Sequence, residues 1–432
     1  MVNLPAEKIS KVSTLTQLNE IFPNLHNLPI IYNHKILNLT NTKFNFMGKT
    51  ALVLSGGGFR GAFQAGALKV LKENWNKIEP GEPEFKFNIV AGVSAGALNG
   101  LLVAQNKFDE LLELWNSIGE NGVEEIYTSD FIDTHFDKSL SKPKIKFKFD
   151  WNNLRKHFPK TTRNIVFKAL FNRKNLFHTL EDELYNFKSL ADNSNLFQLI
   201  KKYARKEFFE ECSYKCGYVS LNTGDFYSVD ICDFETDEDF AKGVLASSAM
   251  PTVWPPVDKI RVNGAVHEQC VDGGIRNVSP LRAVIEDIKK DSNPDEYTII
   301  IINCSTGKIQ PENFAQKNIA QIGLRSLIDI AITEIFNNDI REFLTKNHIV
   351  KQIEQQHPGE VIYDFDFENR RTGKPLVYFK SILIQPDDNV LGDTLTATKK
   401  QIRERIEHGI YKADLALNIH KKTDKNNRMT IV

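Results

Sequence analysis

Short unbroken apolar runs, each closed by glycine or a small residue and followed by a helical period, recur through the first half of this chain. Thr50-Ala-Leu-Val-Leu54 shows no polar alternation, which predicts a strand buried on both faces. Gly56-Gly57-Gly58-Phe59-Arg60-Gly61 follows, and apolar positions at helical spacing then predict a helix over 62–73. The unit repeats: an apolar run from Phe87 reaches Gly92, Ser94 stands among small residues, and helix formers extend over 95–105, with a second helical stretch at 108–118. Strand, glycine loop, helix, strand, tight turn, helix predicts a mainly parallel sheet with helices on both faces.

Later elements extend that pattern. Residues 215–231 read as a hairpin turning at Asn222-Thr-Gly-Asp225. Residues 240–248 read as a helix stopped by Pro251, 281–290 as a helix and 297–304 as another buried strand. Thr179 and Asp182 bracket a helix start within 176–190, with Asp in place of the usual Glu or Gln of a capping box. Leu324, Ile328, Ala331 and Ile335 form one helical stripe, and Ile332, Phe336, Ile340 and Phe343 its neighbour, so a long helix packs on the main body. Residues 361–367 and 376–385 read as hairpin arms around Arg371-Thr-Gly-Lys374, 395–417 as a helix, and 421–432 as a disordered tail. The expected division is an N-terminal extension of turns and short helices over 1–48, a catalytic domain over 49–310 with an insertion at about 120–210, and a helical and hairpin region over 311–432 packed on it.

Composition changes the picture little. Lys+Arg and Asp+Glu are equal at 55 each in 432 residues, so bulk charge makes no case for a nucleic-acid partner. No run approaches the roughly 18 apolar residues of a membrane span, and 1–18 has no signal-peptide core. The expectation is a cytoplasmic chain with peripheral membrane contact. Five cysteines, an odd and sparse set, read as reduced thiols, and Cys212 and Cys216 have no partners at zinc spacing. Residues 141–178 depart from the average. Eleven Lys or Arg face one acidic residue, Asp150, interleaved with seven aromatics. That segment reads as an anionic-membrane docking patch or as a solvated insertion whose aromatics pack inward; nucleic-acid binding is a third reading, which no RNA- or DNA-binding motif supports.

The candidate chemistry sits at the loops. Gly92-Val-Ser94-Ala-Gly96, with a strand before and a helix after, is a nucleophile elbow, where a tight turn requires nearly atom-free neighbours. The triple glycine can turn backbone N–H groups inward as an oxyanion hole or a phosphate cradle. Gly56, Gly58 and Gly61 match the spacing of a dinucleotide fingerprint, but Glu79, Glu82 and Glu84 fall in a loop before the next strand rather than at its end. No Gly-Lys-Ser/Thr closes the loop as a P-loop would. Arg60 fixes the loop, meets a phosphate, or is a plain surface arginine at a helix start. Asp272 lies just past a short strand in Val271-Asp-Gly-Gly274.

The combination of Val53–Gly61, the Ser94 elbow, the Ala246-Ser-Ser-Ala-Met-Pro251 stretch and Asp272-Gly-Gly resembles the patatin-like phospholipases. The resemblance implies a three-layer α/β/α fold and a Ser-Asp dyad without catalytic histidine. It makes Ser94 the nucleophile, Asp272 the base, and the Gly56, Gly57 and Gly58 amides the oxyanion hole. Arg60, Gly61, Gly92, Gly96, Gly273 and Gly274 support them, and neither metal nor cofactor is implied. None of the ten histidines stands in a context that marks a triad base; His178 follows an aromatic loop and His267 precedes Asp272 by five residues, and both read as structural. Ser247 and Ser248 read as caps or packing residues. A carboxylate with an ordinary pKa near 3.9 is a weak base for a serine, so the reading needs desolvation and strong oxyanion stabilisation. An esterase or thioesterase for small acyl substrates, and a binding protein on the same fold, stay open, as does the need for an activator.

Overall fold

The computed structural model describes residues 30–32, 35–37, 48–130, 132, 189–209, 211–309, 311–316, 322–323, 325–365, 371–388, 390–395 and 397–426. The basic segment 141–178, His178, the capping box at Thr179, Leu324 and the chain beyond Asn426 lie outside these residues.

Residues 1–47 and 48–432 form two compact units. In the first, β1 (Ile30–Tyr32) and β2 (Lys35–Leu37) pair antiparallel, with Ile31 opposite Ile36. Strands stand here where turns and short helices were expected, because β-branched and aromatic residues favour extended backbone.

The second unit is built on one eight-stranded sheet. Its strands are β3 (Lys49–Leu54), β4 (Ile89–Val93), β5 (Ser213–Ser220), β6 (Phe226–Asp230), β7 (Val257–Val262), β8 (Ala265–Asp272), β9 (Tyr297–Ile302) and β12 (Lys380–Ile384). The order β12-β9-β3-β4-β5 is parallel throughout, and β6, β8 and β7 add antiparallel pairs beyond it. The helices are α1 (Ala62–Glu73), α2 (Ala95–Val103), α3 (Phe108–Asn121), α4 (Ser194–Tyr203), α5 (Asp237–Ser247), α6 (Leu281–Ile288), α7 (Ile332–Gln356) and α8 (Lys399–Asn426).

Alternate residues of β3 show why its run is apolar without a break. Leu52 and Leu54 join the core formed with Phe63 of α1, Leu101 of α2 and Phe240 of α5. Ala51 and Val53 join a second core with Val284 of α6 and Phe336 of α7. Both faces are covered, so the protein has three layers, α/β/α, around a mainly parallel sheet. A π-helical turn at Arg325–Ala331 leads into α7.

Three late elements differ from expectation. Lys380–Ile384 is not a hairpin arm; it is β12, paired parallel with β9 at the sheet edge. Its Ile-Leu-Ile run suits that partly buried position better than a solvated hairpin. The small hairpin pairs β10 (Tyr363–Phe365) with β11 (Arg371–Pro375), so Arg371 to Lys374 is strand rather than turn. Finally, α8 starts at Lys399, leaving 390–395 as a loop, and it continues to Asn426 where a disordered tail was expected.

The crossing of α1 and α8 is a backbone contact made through two glycines. A Cβ on Gly66 would fall 2.0 Å from the Ile406 carbonyl oxygen, and one on Gly409 2.0 Å from that of Phe63. Backbone cannot swing aside as a side chain can, so Gly409→Ala is expected to destabilise by on the order of 1–3 kcal/mol or more in urea unfolding. Gly119→Ala, whose Cβ would meet nothing nearer than 3.5 Å, is expected to be neutral or stabilising by up to about 1 kcal/mol through helix propensity. Equal effects of the two substitutions would contradict the close crossing.

Candidate active site

The site lies at the carboxyl end of the parallel strands, where open α/β sheets place their ligands. β4 passes into α2 with a single residue between, Ser94, held at φ 56° and ψ −127°. A non-glycine residue there stores roughly 1–3 kcal/mol of strain, which the surroundings must hold. They do so at three points. The Ser94 N–H donates to Ser247 Oγ at 3.0 Å, and its carbonyl accepts from Ala97 N at 2.9 Å and Leu98 N at 3.2 Å. Gly92 and Gly96 allow the turn to close: a Cβ on Gly92 would lie 2.3 Å from the Gly96 carbonyl oxygen, and one on Gly96 2.2 Å from that of Leu54. Ser247 thus has a supporting role that neither capping nor packing describes, while Ser248 Oγ bonds back to Leu245 O within its own helix.

Sheet register brings Asp272 to Ser94. β4 ends with Val93 opposite Gly217, and β8 ends with Asp272 opposite the next residue, Tyr218. β6 occupies the other edge of β5 at these positions, so β8 arrives end-on to β4 along the same edge. Ser94 and the Asp272 carboxylate therefore stand at two facing strand ends. Ser94 is 8% exposed and Asp272 1%. Gly274 N donates to Asp272 Oδ1 at 2.7 Å, and Oδ2 has no hydrogen-bond partner among the described residues. Burial pushes the Asp272 carboxyl up to about 7; the Gly274 amide and the nearby Ser94 hydroxyl oppose that rise. Gly273 has its own close approach, since a Cβ there would fall 2.5 Å from Gly217 O.

The glycine loop divides its amides. Gly56 N donates to Val278 O at 3.1 Å and Phe59 N to Thr394 O at 2.9 Å. The Gly57 and Gly58 N–H groups have no acceptor among the described residues. Side chains are excluded at both: a Cβ on Gly57 would strike Cys304 Cβ at 2.4 Å, and Gly58, at φ 53°, would meet Thr394 O at 2.4 Å. A buried polar network anchors the loop's ends. Gln64 Nε2 donates to Ser55 O, and Asn99 Nδ2 to Gly61 O and Gln64 Oε1, while Trp115 Nε1 donates to Asn99 Oδ1. Arg60 donates through Nε to Gly392 O at 2.8 Å.

Two cavities meet at Ser94. One runs along α2 between α3 and α4 and is walled by residues such as Leu98, Leu102, Trp115, Ile118 and Ile200. The other is lined by Asp272, Gly56, Gly57, Gly58, Arg60 and Gly274. Gly58, Ser94, Trp254 and Thr394 line both. Thr394 belongs to a stretch where no motif was recognised, so sequence patterns carried no signal for it. His267 stands apart: its Nδ1 pairs with Tyr218 Oη at 2.9 Å and its ring stacks on Tyr227. Among the described residues no cluster of His, Cys, Asp or Glu could hold a metal ion, and no helix is long and apolar enough to cross a membrane.

A three-layer sheet with an elbow serine and a glycine loop at its carboxyl end is the patatin type of α/β fold. The chain belongs to the patatin-like phospholipase family, whose model matches residues 52–285, just over half of its length. This is a family of lipid acyl hydrolases. Among solved structures, VipD from Legionella pneumophila is similar at 14% identity and TM-score 0.38, covering 87% of this chain and 67% of its own. Human GIVD cytosolic phospholipase A2, in complex with methyl gamma-linolenyl fluorophosphonate, is similar at 10% identity and TM-score 0.36, with 98% and 64% covered. The chain thus spans about two thirds of each. No curated protein matches the sequence.

The raised carboxyl makes a stability prediction. Because the fold holds the Asp272 proton more tightly than the unfolded chain does, native stability is lost as pH rises from near 3.8 to about 7. Asp272→Asn keeps an acceptor for Gly274 N and removes the buried charge. It is expected to stabilise the protein by a few kcal/mol at roughly pH 8 and by little at roughly pH 4. Denaturant titrations at the two pH values check this, and a gain independent of pH would contradict it.

Proposed function

We propose that this protein is a lipid acyl hydrolase of the phospholipase A type, working through Ser94 and Asp272 and an acyl-serine intermediate. The observation that carries the reading is the pair of cavities meeting at Ser94. The apolar one suits a long acyl chain. The one holding Asp272 suits the polar remainder of the lipid. Nothing about so long an apolar wall serves a small, soluble acyl group, so the esterase reading ranks second.

In the first half-reaction the Ser94 hydroxyl oxygen attacks the ester carbonyl carbon while its proton passes to Asp272. A base near pH 7 is far better matched to this than an ordinary carboxylate. The oxyanion is received by the Gly57 and Gly58 amides, since the Gly56 amide is already committed to Val278. The N-terminus of α2 adds a positive dipole end beside Ser94. Collapse breaks the ester C–O bond, and the leaving alcohol or lysolipid takes the proton from Asp272. Water then attacks the acyl-serine, gives its proton to Asp272, and the fatty acid leaves as Ser94 regains its proton. Docking on anionic lipid through 141–178 is part of the reading and rests on composition alone.

Fatty-acid release from mixed phospholipid vesicles tests it. Ser94→Ala and Asp272→Ala are each expected to lower release by roughly 10³-fold or more. For the wild type, kcat/KM is expected to rise with pH through about 7 and level off above, because only the ionised carboxylate accepts the proton. Activity on short soluble esters with none on vesicles would sink the lipid reading.

A further inference from the structure

The loop between β12 and α8 lies over the glycine loop, and every backbone carbonyl from Leu391 to Leu395 accepts a hydrogen bond. Leu391 O accepts from Arg405 Nε at 2.7 Å, and Asp393 O from Arg405 Nη2 at 2.7 Å. Gly392 O accepts from Arg60 Nε at 2.8 Å, Thr394 O from Phe59 N at 2.9 Å, and Leu395 O from Tyr127 Oη at 3.0 Å. Two of the donated bonds come from α8, and three come from the segment 52–285 that defines the family. Five consecutive carbonyls fixed from two sides make a rigid strap, not a surface loop.

The strap reaches the chemistry directly. Thr394 lines both cavities beside Ser94 and Gly58, and its carbonyl sits where any side chain at position 58 would be. Its bond to Phe59 N fixes the peptide next to the Gly58 amide. Arg405 is 1% exposed. Burial pulls its guanidinium down to about 10, Arg60 pushes the same way, and Asp393 opposes them. A buried guanidinium is expensive to keep unless its bonds do something apolar packing cannot. Here they set the path of backbone whose next bond is to the glycine loop.

We infer that the strap Leu391–Leu395 walls the reaction site through Thr394 and Leu395 and that Arg405, from the far C-terminal helix, is a positioning residue acting through that strap on the Gly57 and Gly58 amides. The inference rests on the proposed role of those amides and of Ser94. An oxyanion hole works only if its donors are already aimed, and a shift of about 1 Å can cost on the order of 10²-fold. The catalytic unit is therefore not complete at residue 285, since α8 supplies part of its precision.

The test uses the full chain with four variants: Arg405→Gln, Arg405→Lys, Tyr127→Phe, and Lys400→Gln as a same-helix control that removes a charge on the exposed side. Two readouts are taken on protein shown to be folded by thermal unfolding. One is kcat and KM on phospholipid vesicles. The other is the rate at which an alkyl fluorophosphonate labels Ser94, a reaction that also develops charge on an oxygen in the hole. The expected result for Arg405→Gln is a fall of about 10- to 100-fold in both kcat and labelling rate, with KM within about 2-fold. Arg405→Lys, which restores one donor, recovers part of the loss, and Lys400→Gln matches the wild type. Tyr127→Phe, which removes only the donor to Leu395 O, loses several-fold in the same two quantities, and it decides the matter if Arg405→Gln does not fold. Variants that melt earlier but keep wild-type kcat and labelling would overturn the inference, reducing the strap to a structural tie. A wild type whose labelling is absent, or survives Ser94→Ala, would overturn the reading of Ser94 itself and this inference with it.

Discussion

Ser94 is held in backbone that an L-residue rarely adopts, and the rest of the site follows from what that turn demands. The turn places Gly92 and Gly96 in contact with each other and Gly96 against the end of β3. It also spends Ser247 on the Ser94 N–H. Strand β4 must stop there, and its end leaves open the edge of β5 into which β8 comes antiparallel, delivering Asp272. One strained residue thereby fixes the end of one strand and the approach of another. Strain of this kind persists only when packing on every side over-determines it.

The second constraint is electrostatic. Asp272 has one amide from Gly274, a second oxygen with no hydrogen-bond partner among the described residues, the Ser94 hydroxyl nearby, and almost no contact with water. Such a site disfavours the carboxylate, and the same cost that lowers stability raises basicity. A histidine would ordinarily supply a base near neutral pH. Here the histidine nearest in sequence, His267, is committed to Tyr218 and Tyr227. Desolvation can do for a carboxylate what imidazole does by its nature.

Much of the fold could be read in advance because its signals are local. The unbroken apolar runs of β3, β4 and β9, the glycines after β3 and the small residues around Ser94 each state a backbone requirement within a few positions. The three layers followed from their order. What stayed hidden was non-local. Lys380–Ile384 has the composition of a hairpin arm and becomes a parallel edge strand only because β9 offers it a partner. Val278 takes the Gly56 amide and Thr394 covers Gly58. Neither residue type announces such a role. Arg405 is one of many charges on a long helix, and its burial distinguishes it. The glycine string suggested three equivalent amides, while the structure separates Gly56 from Gly57 and Gly58.

Elbow, buried carboxylate and glycine loop come from the segment that defines the family, and the strap and its arginine come from beyond it. The central claim remains that a covalent bond forms at Ser94. Acid quenching of the wild type during turnover of phospholipid vesicles, followed by peptide mass spectrometry, tests that claim most directly. The account predicts an added fatty-acyl mass on the peptide carrying Ser94 and on no other. An acyl group found instead on Ser247, Ser248 or Cys304, or turnover with no covalent adduct under any quench, would contradict it.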